Sequence, residues 1–458
     1  MRTLGELLDG TGFTLDDLAR FQLKLFTYLT SCNGRRAAEC ESRSWWDYVD
    51  GGAYSPQFQR YLEKAPQALV AMTARRGDAR TQGTVTLRLL LDQLTDGTRT
   101  DGTLNGPTSL AWFAHWRRYL ESQGVVFHRG ALTGFDVLDA ETVWPVVQLF
   151  DDDGIAHPTV LVRDYYVVAL PAPAARAIVD ATPALQGRDV DRLRRFDLGT
   201  ATTARPAGPL QHLSGIQYYF TTDVRFVPGH TVYPDTAWGL SSISQPQFWT
   251  RRRGWWDGYG GILSVDIGDF YTASPRLGRP AWECSRDEIA HETWAQIKET
   301  LRDPSQIPDP ILFHLDDNLV FGLAGGILHN ETPLLINHVG AYRTRPGLAG
   351  DYQANNGSVV LAGTYMQTYT RLTTMEAANE SGRHAANAIL THAGFVGDRC
   401  ATWDPEDMEL GDLQWLVDLD GRLFAAGLPH VVELLGLDRL PEDWLGAHAL
   451  ADVLAVRA

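Results

Sequence analysis

The chain has 458 residues, enough for two or three domains of roughly 150 residues each. With 44% hydrophobic and 21% charged residues it has the composition of an ordinary globular protein. A net charge of −16 excludes broad contact with nucleic acid and disfavours an anionic membrane surface, leaving at most a peripheral membrane contact open.

The four cysteines, Cys32, Cys40, Cys284 and Cys400, form no C-x-x-C pair. That argues against zinc and against a disulfide scaffold, and for a reducing compartment. Asp9, Asp16 and Asp17 interrupt any signal-peptide core, and no run reaches the roughly 18 apolar residues that span a bilayer. A cytoplasmic protein without a transmembrane segment is expected.

Residues 1–95 predict helices. Leu15, Leu18, Phe21, Leu25, Phe26 and Leu29 fall on one helical face, and Thr14 can cap it. Further helices are expected near 57–74 and 83–94. A helix carrying Leu110, Trp112, Phe113, Trp116, Tyr119 and Leu120 should end at Gly124. Residues 125–128 predict a strand, and 132–137 another. Residues 165–170 read as a central strand closed by Pro171, with a helix from Ala174. Strands are then expected at 215–220, 261–267 and 333–337, and Ser285-Arg286-Asp287-Glu288 is a capping box opening a helix. The run 251–256, Arg-Arg-Arg-Gly-Trp-Trp, reads as a local surface loop.

The most informative stretch is 358–390. It opens as a short apolar strand, and Gly363 then allows a turn or a close approach of backbone to ligand. Thr373-Thr374-Met375-Glu376 reads as a capping box, with Thr373 as the cap and Glu376 reaching back. Apolar residues follow at helical spacing: Met375, Ala378, Ala385, Ala386 and Ile389. A helix start of this kind suits an electron-rich or anionic group. His384 and His392 are expected on its exposed side.

These residues resemble the C-terminal FAD-binding segment of the FAD-dependent amine oxidase and phytoene desaturase superfamily. Gly363-Thr364 stands where that family has Gly-Asp, and Met375-Glu376-Ala377-Ala378 matches the helix start that faces the flavin ring. The resemblance implies FAD as cofactor, held by Gly363, Thr364, Thr374 and Met375, with Leu132 near the adenine. The runs G-I-Q-Y-Y-F (215–220) and W-G-L-S-S-I-S-Q (238–245) are similar to the branch containing hydroxysqualene dehydroxylase-like flavoenzymes. They imply a substrate pocket including Trp238, Ser242, Gln245 and Tyr219. The implied fold is mixed α/β (α+β): an incomplete FAD-binding domain plus a substrate domain with a mixed or antiparallel sheet and helices. By this alignment residues 1–95 and 181–345 belong to the substrate domain, and 96–180 and 346–392 to the FAD-binding domain. Residues 393–458 form a helical tail with no assigned role. The implied function is an oxidoreductase acting on a small apolar, isoprenoid-like substrate by hydride transfer involving the flavin.

Such a protein should also carry strand, G-x-G-x-x-G and helix, followed by an acidic residue for the ribose. The glycine clusters at 51–52, 258–261 and 322–326 have the wrong spacing or context. Three origins follow: a truncated sequence, a split enzyme whose second chain supplies the unit, or a non-catalytic subunit that keeps the substrate domain but cannot bind FAD alone. The intact helix start favours the first two. Thr364 in place of an aspartate leans toward the third. No catalytic acid–base pair is identified. His291-Glu292 lacks the second histidine of H-E-x-x-H, and His314, Asp316 and Asp317 read as a solvated loop, so no metal site is expected.

Overall fold

A computed structural model describes residues 12–94, 102–139, 142–199, 208–250, 258–323, 325–408 and 410–437. The run 251–256 lies outside them. The chain is a mixed α/β protein that divides into two compact units. One gathers residues 1–100, 338–340 and 405–458, the other 101–337 and 341–404.

The first unit is helical. Helix α1 (Leu15–Thr30) starts at a reciprocal box: Thr14 Oγ1 accepts from Asp17 N at 3.0 Å, and Asp17 Oδ2 accepts from Thr14 N at 2.8 Å. Asp17 is buried because it has a second task. It accepts the amide and hydroxyl of Ser55, and Ser55 in turn caps α2 (Pro56–Val70). Helix α3 (Ala79–Leu94) lies against Tyr28, whose hydroxyl donates to Arg80 O at 2.7 Å. A side chain at Gly83 would strike the Tyr28 ring, so the helices approach closely only because that position is glycine. Trp45, Tyr48, Phe58 and Leu62 complete the core.

The tail has a role in this unit. Helix Gln414–Ala425 buries Asp420, which takes two hydrogen bonds from Arg35 Nε and one from Cys32 N. Glu406 pairs with the buried Arg80 at 2.7 Å, and Glu41 meets Arg80 from the other side.

The second unit begins with a π-helical turn, Ser109–Phe113, that runs into α4 (Ala114–Ser122). Residues 125–128, expected as a strand, are irregular: their β-forming side chains find no neighbouring strand among the described residues. Strands β1 (Gly130–Val137), β2 (Val143–Phe150) and β3 (Ala156–Val160) form an antiparallel meander. Strand β4 (Tyr166–Ala169) follows, then α5 (Ala172–Ala181) and α6 (Arg188–Arg195).

A five-stranded antiparallel sheet is built from β5 (Ser214–Phe220), β6 (His230–Tyr233), β7 (Leu240–Ser244), β8 (Gly261–Ile267) and β9 (Leu312–Leu315), in the order β9-β5-β8-β7-β6. Alternation sends Ile216, Tyr218 and Phe220 to one face, against α7 (Arg286–Glu299), where Tyr218 donates to Ala290 O at 2.6 Å. Helix α7 has the expected Ser285–Glu288 capping box. The expected strand at 333–337 shrinks to Leu334–Leu335. Strand β10 (Val359–Ala362) and α8 (Met375–His392) close the unit.

Candidate functional site

Strand β10 pairs with β4 in parallel, Val359 opposite Tyr166 and Ala362 opposite Ala169. All four β10 residues are buried. Parallel strands deliver their C-terminal ends to one side, which is where such sheets bind ligands. Gly363 sits at that end with φ +130°. A Cβ there would lie 2.9 Å from Tyr365 Cε1 and 3.0 Å from Leu170 O, so only glycine fits. The Gly363 amide donates to Ser381 Oγ at 2.8 Å, fixing the strand end to α8.

The cap of α8 is Thr374, not Thr373. Thr374 is extended, and its Oγ1 accepts from Ala377 N at 3.1 Å. The Thr373 hydroxyl donates instead to Leu335 O, and Glu376 points to solvent, so no reciprocal box forms. The amides of Met375 and Glu376 have no intrahelical acceptor by position, and Met375 is 54% exposed. The first turn therefore offers backbone donors and the positive end of an 18-residue helix.

The loop between strand and helix is held from below. Arg345, buried, donates to Thr364 O at 2.8 Å. The Tyr352 hydroxyl reaches Gln367 O at 3.0 Å and Ser381 Oγ at 3.2 Å. Glu380 accepts from the amides of Tyr369 and Thr370, from the Thr370 hydroxyl, and lies 3.2 Å from His384 Nε2. Burial pushes the Glu380 carboxyl up, but bonds from His384, Thr370 and Tyr369 outweigh it and leave it below the usual glutamate range. His384 is thus buried beside Glu380, Tyr352 and Tyr369, against the expectation of exposure; His392 is exposed. Arg371 in this loop adopts φ +54°, a backbone conformation that side-chain-bearing residues rarely take.

Gly363 and Thr364 follow the C-terminal end of β10, Thr374 and Met375 open α8, and the bond from Gly363 N to Ser381 Oγ ties the strand end to that helix. Leu132 lies on β1, half-buried, and packs on the same core as β10. The pocket candidates separate. Trp238 is fully buried in the core behind the five-stranded sheet, with its Nε1 donating to Thr272 O at 3.1 Å. Ser242 is buried with its hydroxyl 2.8 Å from that of Tyr233. Ser242 shares the β7 face of Leu240 and pairs opposite Val265, and Trp238, just before β7, belongs to the same packed core. Gln245 lines a cavity of about 190 Å³ with His230, Ile243 and Trp249. Tyr219 lies on the opposite sheet face from Tyr218, its hydroxyl donating to Gln217 at 3.0 Å.

Glu380, Ser381, Tyr352 and Arg345 were not singled out from the sequence. One signal was available: Glu380, Ser381 and His384 share the helix face of Ala377, Ala385 and Ala388, all of them buried. Polar groups on an apolar face must find partners, and here the partners are the loop.

No family model matches the sequence, and no curated protein does. Solved structures resemble its fold. A double mutant of putrescine oxidase, made to redesign cofactor binding, overlays with a TM-score of 0.52 at 12% identity, covering 82% of this chain and 74% of that one. A triple mutant of the same oxidase overlays at 0.50 and 12%, covering 82% and 75%. A cyclohexylamine oxidase from Brevibacterium oxydans overlays at 0.46 and 15%, covering 86% and 76%. The chain shares the fold of putrescine oxidase.

Proposed function

We propose that the chain is the flavin-facing and substrate-binding part of an FAD-dependent oxidoreductase. The observation that carries the reading is the unit β10–Gly363–α8, in which a buried parallel strand ends at Gly363, is bonded to Ser381 of the next helix, and that helix opens on an exposed, Thr374-capped first turn. The residues present fit the flavin end of such a cofactor. Met375 and Glu376 offer amides to its electron-rich edge, and Gly363 and Thr364 offer a close-packed strand end. Leu132 is the candidate for the adenine end. Bound there, FAD supplies the hydride chemistry.

The chain's own residues then have three tasks. The helix start favours negative charge at a fixed place, by the electrostatics that serve any developing anion. Glu380 and Arg345 keep the loop in one conformation. Apolar side chains hold the substrate and exclude water. The proposed substrate is apolar and isoprenoid-like, on the resemblance of the runs 215–220 and 238–245 to the hydroxysqualene dehydroxylase-like branch. Tyr219 and Gln245 remain candidates for polar contact to it.

The test is the visible spectrum of the chain purified gently from its own cells. A bound-flavin band that is lost in Gly363→Ala supports the reading. A colourless preparation that takes up no added FAD overturns it.

A further inference from the structure

The helical unit holds an apolar cavity of its own, about 260 Å³ in volume. That is just below the roughly 300–1,000 Å³ of sites for drug-sized ligands, so its occupant is smaller than those. Three helices wall it: α1 contributes Phe21, α2 contributes Leu62 and Ala65, and α3 contributes Val85 and Leu89. The short side chains of Ala65 and Pro66 leave space on α2 that a larger residue would fill. Trp45 and Met72, both buried, close the floor, and Tyr61, Leu89 and Leu90 are exposed at the mouth. No lining residue carries a charge at neutral pH, and burial pushes the Tyr61 phenol up, away from ionisation.

Two polar side chains stand one turn apart on the α3 wall, Gln82 and Thr86. The Gln82 amide is fixed. Its Nε2 donates to Met72 O at 3.1 Å and reaches Thr73 O at 3.5 Å. A Cβ at Gly77 would lie 2.5 Å from the same nitrogen, so the chain there leaves the amide no room to swing aside. The two carbonyls also decide which arm is the nitrogen, since a carbonyl bonds only a donor. The other arm, Oε1, is buried and has no partner. An acceptor left unpaired in an apolar wall costs free energy that a donor entering the cavity recovers. The Thr86 hydroxyl makes no hydrogen bond among the described residues.

We propose that this cavity binds a small uncharged molecule with one apolar body and one hydroxyl, an aliphatic alcohol in class. The hydroxyl donates to Gln82 Oε1 and accepts from Thr86, and the apolar body lies against Trp45, Leu62 and Met72. A carboxylate or an ammonium is excluded because no counter-charge lines the cavity. An alkane or an ether leaves Gln82 Oε1 unpaired. Every lining residue belongs to the helical unit, so the occupancy of the cavity does not depend on the flavin reading.

The experiment titrates the full chain with 1-octanol, its isomer 1-methoxyheptane and octanoate by isothermal calorimetry. Expected are one saturable site for 1-octanol, binding of the ether weaker by about tenfold or more, and none of octanoate. Gln82→Met keeps the shape and removes the acceptor, so the two isomers should bind it alike. That ratio does not move with stability alone. Ala65→Leu fills the space and should weaken both isomers. Thermal midpoints certify that each variant is folded. Should Gln82→Met fail to fold, Thr86→Val takes its place: affinity for both isomers falls while the preference for the alcohol stays. No saturable site, equal affinity for the isomers in the wild type, a preference kept in Gln82→Met, binding undiminished by Ala65→Leu, or octanoate bound as well as 1-octanol overturns the proposal. A dimer that Leu89→Glu dissolves assigns the cavity to a second copy of the chain and overturns it as well.

Discussion

The Oε2 atom of Glu380 accepts both the amide and the hydroxyl of Thr370, at 3.0 and 2.7 Å. Glu380 lies in the second turn of α8, and Thr370 lies in the loop that leads into that helix. The helix thus anchors the loop that precedes its own N-terminus. The placement of the candidate ligand-facing turn depends on a carboxylate on the opposite, buried side.

Replacing Glu380 by Gln keeps the shape but removes the charge from the loop's hydrogen bonds. A loss of about 1.5–3 kcal/mol in unfolding free energy is expected, read from urea denaturation. Flavin retention should fall in parallel, since the loop carries Thr373 and Thr374. An E380Q protein as stable as wild type would show that the loop is held by other contacts.

The same carboxyl predicts an acid response. Its pKa in the fold lies below the ordinary glutamate value of about 4.3. A depressed carboxyl contributes stability that is complete above the unfolded value and is lost as pH falls through the folded one. The stability gap between wild type and E380Q should therefore narrow as the pH drops below about 4.3, when unfolding is compared across an acid series. A gap that widens on acidification contradicts the assignment.

The two threonines can be told apart. Thr374→Ala should cost about 1 kcal/mol through the lost cap, with Thr374→Ser restoring most of it. Thr373→Ala should leave the cap intact and lose only the bond to Leu335 O. Circular dichroism and flavin affinity on the three variants check the order.

Gly363→Ala forces a side chain into left-handed backbone between Tyr365 and Leu170 O. A destabilisation of about 1–3 kcal/mol is expected from the strained conformation alone. The thermal midpoint of G363A provides the measurement.

Arg80 makes a prediction independent of any ligand. It is 8% exposed and sits between Glu41 and Glu406. Arg80→Met leaves two carboxylates without their cation, at a cost of about 3–5 kcal/mol. Chemical denaturation of R80M followed by tryptophan fluorescence would detect it, and a change under 1 kcal/mol, roughly what an exposed pair is worth, would show that the pair is solvated.

Local patterns were legible in the sequence where local chemistry decided the outcome. Thr14 and Ser285 cap the helices that their spacing announces, and the alternation of Ile216, Tyr218 and Phe220 picks the buried face of β5. Legibility failed where a distant group intervened. Thr373 has the better spacing to Glu376, but Leu335 O, 38 residues away, takes its hydroxyl and passes the cap to Thr374. Glu380 and His384 look like solvent-facing helix residues until Tyr369 and Thr370 fold back on them. Residues 125–128 have strand composition without a strand to pair with among the described residues. Trp238 stands in a run that suggests a pocket, yet the register of β7 with β8 places that run's inward side chains in a packed core.

The helical unit joins the two ends of the described chain, and this sets an order of events during synthesis. Arg35 is made early, whereas Asp420, its buried partner, emerges 385 residues later. Arg80 waits in the same way for Glu406, 326 residues downstream. Residues 101–337 and 341–404 can settle around their own core while the first hundred residues still lack Asp420 and Glu406. Residues 1–100 are thus among the last to become native. A nascent chain halted before Glu406 would hold Arg35 without Asp420 and Arg80 with only Glu41 of its two acids, a ready target for chaperones and proteases.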